Sequence, residues 1–315
     1  MMSEFILEDL IKKVEEVYLG SRSHIEIVLL SLISGLHLLI EDNPGIGKTT
    51  LVKAFARASS LDFGRIQFTP DILPGDLIGM NVLDKNTGNF SFLQGALFHQ
   101  LILGDEINRA SPRTQSGLLE AMQEGFVTID GRTISLPEPF LVIATQNPNS
   151  FSGTYEIPEA QADRFGLKIS LGYPSKEEEK KILNIYGIKN NPLDNIEPIL
   201  TTEILLELQK KCELQTFKQD LMDYMIDVAQ ATRNSPHVVL PLSPRALIHW
   251  KKASQGIAFI KGRDFVIPED LIFTSHLVLE HRIIFKQTIT LGSHSKRELL
   301  DDILKKIPLP TGLNR

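Results

Sequence analysis

The 315 residues are 42% hydrophobic and 23% charged, the profile of an ordinary globular chain with length enough for two domains. A net charge of −6 argues against a surface built mainly to hold nucleic-acid backbones, while leaving room for a local basic channel. The one cysteine, Cys212, excludes an internal disulfide and suits a reducing cytoplasm, which is the expected location.

Met1 to Gly20 carries Glu4, Glu8, Asp9, Glu15 and Glu16, so it lacks the basic start and apolar centre of a signal peptide. Phe5, Leu7, Leu10, Ile11, Val14 and Val17 recur at helical spacing and predict an amphipathic helix. Ile27 to Ile40 is the longest apolar stretch, too short to span a bilayer and broken by Ser31, Ser34 and His37. It divides into the end of a helix over Ile25–Ile33 and a strand over Leu36–Ile40.

That strand runs into Glu41-Asp42-Asn43-Pro44-Gly45-Ile46-Gly47-Lys48-Thr49-Thr50, after which Leu51, Val52, Ala54 and Phe55 mark the apolar face of a helix. A strand, a glycine turn and a helix N-terminus in that order make an anion cradle. Gly45 and Gly47 let backbone N–H groups turn inward, Lys48 reaches β- and γ-phosphates, and the Thr49 hydroxyl ligates Mg²⁺. The nucleotide-binding set is therefore Asn43, Pro44, Gly45, Ile46, Gly47, Lys48, Thr49 and Thr50, with ATP and Mg²⁺ as cofactors. Asp42 stands where the G-x-x-x-x-G-K-[ST] pattern has its first glycine, and Lys48 is expected to be exposed in the empty cradle.

Arg65–Phe68 reads as a second strand, with Gln67 at its end either sensing the nucleotide or satisfying backbone groups. Two hairpins follow, Met80–Leu83 with Asn89–Leu93 and Phe126–Ile129 with Arg132–Leu136, the latter around Asp130-Gly131, a type I′ dipeptide. They serve contacts or are surface loops. Between them Leu101-Ile102-Leu103-Gly104-Asp105-Glu106 reads as a buried strand capped by two acids. Asp105 is placed to hold the metal, and Glu106 to polarise the water that attacks the γ-phosphate. Ser111-Pro112 opens a helix through Gln123. Phe140–Thr145 is a further buried strand, and Asn147 after it either orients the water or belongs to an asparagine–proline turn. Arg164, at the end of a short helix from Pro158, reads by itself as a surface arginine paired with Asp163. Beyond Gly172-Tyr173-Pro174 the pattern is helical, over Thr202–Leu214, Lys218–Arg233, Pro244–Lys261 and Pro268–Leu279, with capping signals at Ser175/Glu178 and Ser243.

Together the blocks EDNPGIGKTT, RIQFTPDILPGDLIG, DEINRASPRTQSGLLEAMQEG, ATQNP and GTYEIPEAQADRFGLKISLGYPS resemble the MoxR family of AAA+ ATPases, in the clade with an insert in its second helix. The resemblance is strongest from the phosphate loop to Tyr173. An acidic residue at Asp42 is common in that family. Gly104 replaces a more usual alanine and is expected only to loosen the strand slightly. The resemblance implies an α/β fold: a three-layer P-loop AAA+ core with a parallel sheet and hairpin insertions, followed by an all-α lid. The corresponding spans are an N-terminal helix over 1–22, the core over 23–172 and the lid over 173–315.

It further implies roles for Lys48 and Thr49 (Walker A), Asp105 and Glu106 (Walker B), Asn147 (first sensor), Arg164 (arginine finger) and Arg245 (second sensor). A ring, usually a hexamer, and a client protein carrying a von Willebrand factor A domain are the implied partners, with chaperone-like remodelling as the implied work. Two rival readings are a nucleic-acid motor and a module that uses ATP only as an assembly switch. The acidic balance and the single basic residue near the second hairpin's tip, Arg132, stand against the motor. Glu106 together with Arg164 stands against the passive switch.

Overall fold

The computed structural model describes residues 2–83, 88–148, 155, 157–186, 192–286 and 295–310. In chain order, α1 (Met2–Glu15) and α2 (Arg22–Ser34) precede β1 (Leu38–Glu41), α3 (Lys48–Ala58) and β2 (Phe63–Gln67). A short α4 (Pro74–Ile78) leads into the hairpin β3 (Met80–Leu83) and β4 (Phe90–Leu93). Then come β5 (Leu101–Asp105), α5 (Pro112–Glu124), the hairpin β6 (Phe126–Ile129) and β7 (Arg132–Ser135), β8 (Leu141–Gln146), α6 (Glu159–Ala162) and β9 (Leu167–Ile169). The rest comprises α7 (Lys176–Tyr186), α8 (Thr202–Glu213), α9 (Gln219–Asn234), β10 (Val238–Leu240), α10 (Pro244–Ile260), α11 (Pro268–Leu279), β11 (Ile284–Phe285) and α12 (Lys296–Lys306).

Five parallel strands make the central sheet in the order β2-β5-β8-β1-β9. Its inner strands β1, β5 and β8 are apolar without alternation because both faces are covered, whereas the edge strand β2 alternates. Leu38, Ile40, Leu103 and Ile143 face one hydrophobic cluster, and Leu39, Ile102, Val142 and Ala144 face the other. The first cluster holds α1, α2 and α3 and continues without a break into the lid, through Leu205, Trp250 and Ile257. The second packs α5 and the hairpins against the opposite face.

Local signals act where the sequence places them. Ser111 and Ser243 accept hydrogen bonds from Thr114 N and Ala246 N at the starts of α5 and α10. Ser175 and Glu178 form the reciprocal capping box of α7. Asp130 and Gly131 take φ of 48° and 77°, as a type I′ turn requires. The turn of the first hairpin, residues 84–87, lies outside the described residues. Asn81 of β3 donates to Asp130 at 2.7 Å, so the two hairpins touch. The lid helices are accompanied by the antiparallel ribbon β10–β11, whose strands of three and two residues are too short to display an alternation.

Gly104 does more than loosen its strand. A Cβ there would meet the ring of the fully buried Phe68 at 2.9 Å, so the glycine admits the aromatic ring against β5.

Candidate active site

Parallel pairing of β1, β5 and β8 sets their C-terminal ends side by side, in the crevice where open α/β sheets bind ligands. A cleft of about 360 Å³ opens there, lined by Pro44, Lys48, Thr49, Asp105, Glu106 and Asn147, among others. Gly45 and Gly47 have φ of 87° and 92°, and Gly47 is the N-cap of α3. The loop thereby delivers the unpaired N–H groups of the first helical turn to the cleft.

Lys48 is buried, contrary to the expectation that it would be exposed in the empty cradle. It is 8% accessible, and its Nζ donates to the Asp42 carbonyl at 2.8 Å, because the loop folds its own backbone over the amine. Burial lowers the Lys48 pKa, against the opposing pull of the Asp42, Asp105 and Glu106 carboxylates. Asp42 itself explains the missing first glycine. Its buried carboxylate accepts from the Leu171 N–H, from the Gly172 N–H at 2.9 Å and from the Ser170 hydroxyl at 3.1 Å. The phosphate loop is thus tied to the exit from β9, a contact between positions 130 residues apart that no local pattern reveals.

The two acids are held differently. Asp105 is buried, with Oδ2 2.8 Å from Arg65 Nε and Oδ1 facing the Thr145 hydroxyl at 3.5 Å. Glu106 adopts φ of 59°, the left-handed region, held by its N–H on Thr145 Oγ1 at 3.0 Å. Its carboxylate meets Arg109 Nε at 2.9 Å and Gln67 Nε2 at 3.3 Å. Gln67 therefore serves the side chain of Glu106, not backbone groups. Arg65 and Arg109 went unnoticed in the sequence; the period-two alternation that puts Arg65 on the same face as Gln67 was the available signal. Asn147 lines the cleft, and its carbonyl accepts from Asn108 at 3.2 Å.

A second cleft of about 500 Å³ adjoins the first through Gly45, Gly47 and Thr50. Tyr18, His24, Ile46, Tyr173 and Tyr186 wall it, and Asn43 donates to the Tyr173 hydroxyl at 3.5 Å. Burial raises the Tyr18 pKa to about 12, and burial lowers that of His24. The Tyr18 hydroxyl and His24 Nδ1 share a hydrogen bond of 3.0 Å. An aromatic slot with a few fixed polar groups suits a planar heterocycle. It was missed because its walls come from the α1–α2 turn, the phosphate loop and the core–lid junction.

Arg164 and Arg245 line neither cleft. Arg245, in the first turn of α10, donates to Gln123 Oε1 at 3.1 Å and lies 3.6 Å from Asp163 Oδ2. The local pair of Arg164 with Asp163 does not form. Asp163 is taken instead by Arg282 Nε at 2.8 Å and by the Ser243 hydroxyl at 3.2 Å. The Arg164 Nε is buried without a partner among the described residues.

The donor set fits a nucleotide phosphate with a hard cation: backbone N–H groups and an ammonium for the anion, a hydroxyl and a carboxylate oxygen for the metal. Asp105 already carries a cationic group, the Arg65 guanidinium.

The chain matches the model of the ATPase family associated with various cellular activities (AAA) over residues 37–167 and that of the AAA lid domain over 230–303. It is 38% identical to the Bacillus subtilis protein YeaC, covering 97% of this chain and 95% of that one. It is 39% identical to the chaperone MoxR1 of Mycobacterium tuberculosis, covering 96% and 82%, and 29% identical to the protein MoxR of Paracoccus denitrificans, covering 93% of each. A solved structure from Cytophaga hutchinsonii superposes with a TM-score of 0.91 at 36% identity, over 98% of this chain and 96% of that one. Among the described residues no helix is long and apolar enough to cross a membrane. With AAA and AAA-lid models matched in order and relatives of this kind alike over almost the whole length, the chain belongs to the MoxR family of AAA+ ATPases.

Proposed function

We propose that the protein is a cytoplasmic Mg²⁺-dependent ATPase that works as a ring and remodels or activates a client protein. The observation that carries this reading is the convergence of Lys48, Thr49, Asp105, Glu106 and Asn147 on one cleft, beside an aromatic slot of the right shape for a base. The phosphates lie on the N–H groups of Gly45 to Thr49, and Lys48 exchanges the Asp42 carbonyl for them. Thr49 and Asp105 hold the Mg²⁺, which neutralises charge on the transferring group when bound. Glu106 leaves Arg109 and Gln67 to take the proton of the attacking water, and Asn147 orients that water.

Arg164 and Arg245 act in the pocket of the adjacent subunit. Both flank Asp163, away from the clefts of their own chain, and a guanidinium at a subunit boundary can stabilise charge in a neighbour's transition state. The ring is a hexamer. The name chaperone MoxR1 belongs to a relative, and it supports a protein client here; that the client carries a von Willebrand factor A domain follows only from the resemblance to the family.

The test is steady-state phosphate release with and without Mg²⁺, across the concentration range in which the chain assembles. Turnover that needs the metal and rises with assembly is expected. Metal-independent turnover, or equal turnover in a stable monomer, overturns the proposal.

A further inference from the structure

One guanidinium in the lid makes no contact with the clefts and yet holds the segment on either side of Arg164. Arg282, just past the end of α11, has a side chain only 2% exposed. Its Nε meets Asp163 Oδ1 at 2.8 Å, Nη2 donates to the carbonyls of Asp163 at 3.1 Å and Phe165 at 2.5 Å, and Nη1 donates to that of Gly166 at 3.2 Å. The planar fork of five N–H donors thereby grips the backbone before and after Arg164 at once.

The same group is anchored on the lid side. Nη1 also donates to the Val278 carbonyl in the last turn of α11, and Nη2 lies 2.6 Å from His249 Nδ1 of α10. Burial drives the His249 pKa down to about 3, with Arg282 the next cause, so the ring is neutral and Nδ1 accepts. The Asp163 carboxylate receives the Ser243 hydroxyl, the N-cap of α10, whose oxygen accepts from Ala246 N. Two lid helices, α10 and α11, are therefore fastened to the turn on which Arg164 sits.

A buried ion pair is a poor source of net stability, because desolvation offsets most of the attraction. What it provides is fixed geometry. We infer that Arg282 is a positioning residue that fastens the Arg164 turn to its own subunit's lid, so that the lid sets how well Arg164 serves the neighbouring pocket. This rests on the reading of Arg164 as acting in the adjacent subunit. The aromatic slot is walled partly by Tyr173 and by Tyr186 of α7, so the lid that touches a subunit's own base also carries the clamp on its finger.

Mixed rings test this directionally. Recipients are Arg164→Ala subunits, with an intact pocket and no finger. Donors are Lys48→Ala subunits, alone or with Arg282→Lys, which keeps the charge but cannot span the three carbonyls. A parallel donor carries Asp163→Asn with Lys48→Ala, so that the inference stays testable if the lysine variant does not fold. A displacement of about 1 Å at a reacting centre can cost on the order of 100-fold, so the clamp-defective donors are expected to restore at least ~10-fold less turnover than Lys48→Ala donors. The counter-arm places Arg282→Lys in the Arg164→Ala recipient, which should still be rescued fully by Lys48→Ala donors and bind a non-hydrolysable ATP analogue with unchanged Kd. A merely structural Arg282 would damage donor and recipient alike, and that outcome overturns the inference. Equal rescue by clamped and clamp-defective donors overturns it as well. Absence of rescue even by Lys48→Ala donors in demonstrated mixed rings overturns the adjacent-subunit reading and the inference with it.

Discussion

Two charged clusters differ in how firmly they are held. At the strand ends, Asp105 and Glu106 are met by Arg65 and Arg109, whose side chains are 47% and 53% exposed. At the lid junction Asp163 is met by Arg282, whose side chain is 2% exposed and bonded to backbone carbonyls. Half-exposed arginines are stabilised little by their partners, so the carboxylates can exchange them for a metal ion at small cost. A buried fork cannot leave without stranding a charge. If the strand ends exchange ligands as proposed, the lesson is that this part of the molecule is built from replaceable partners, while the lid junction is not.

The sharpest way to break this contrast is at Lys48. Lys48→Ala should abolish measurable ATP binding by calorimetry and turnover with it, since the cleft then lacks the ammonium of its phosphate loop and Arg65, the other cation lining it, is held by Asp105. Retained binding would mean that the strand-end cluster is not the ligand-exchanging one. Arg164→Ala comes next: turnover should fall by about 10³-fold while ATP affinity is preserved, the signature of an arginine felt only in the transition state. A matching loss of affinity would place Arg164 within its own subunit's cleft.

Glu106→Gln keeps the side chain's size and removes its basicity, so turnover should drop by roughly 10²-fold with ATP still bound. Wild-type turnover would show that pairing with Arg109 and Gln67 is its whole role. The smallest effect is expected from acid. The His249 pKa is about 3 in the folded chain against an ordinary 6.5, so the unfolded chain takes up the proton first as pH falls. Stability from this group is therefore fully present above pH 6.5 and declines steadily between 6.5 and about 3. His249→Gln, which keeps an acceptor for Arg282, should flatten the fall of the urea midpoint over that window. An unchanged slope would show that His249 is not where acid acts.

Much of the strand-end site was legible in the sequence because parallel strands carry their ligands at one end. A run of apolar residues ending in Gly45–Thr49, in Asp105-Glu106 or in Asn147 locates each group before the strands are ordered. The caps at Ser111, Ser175 and Ser243 were equally local. The signal at Ser295 and Glu298, a capping box for α12, was present and overlooked. What could not be read were groups that work across long separations. Asp42 looked like a tolerated departure until Leu171 and Gly172 were found on its carboxylate. Arg282 stands 119 residues from Asp163, in a stretch whose sequence resembles any helix end. Gly104 seemed a weak strand residue because its partner, the ring of Phe68, belongs to the neighbouring chain segment.

The continuity of the first hydrophobic cluster has a consequence for the autonomy of the parts. From Ile27 to Ser34 every residue of α2 is buried, between α1 on one side and α8 and α10 on the other, in the same cluster as Leu38 and Ile40 of the sheet. A helix apolar around its whole circumference has no face left for water. Severing the chain at Gly172 would strip the lid from that helix and bare a run of isoleucine and leucine, so the N-terminal piece alone should aggregate instead of standing as a separate folded body. Lid and sheet should accordingly melt in one calorimetric transition, with the shared helix as the reason that neither outlasts the other.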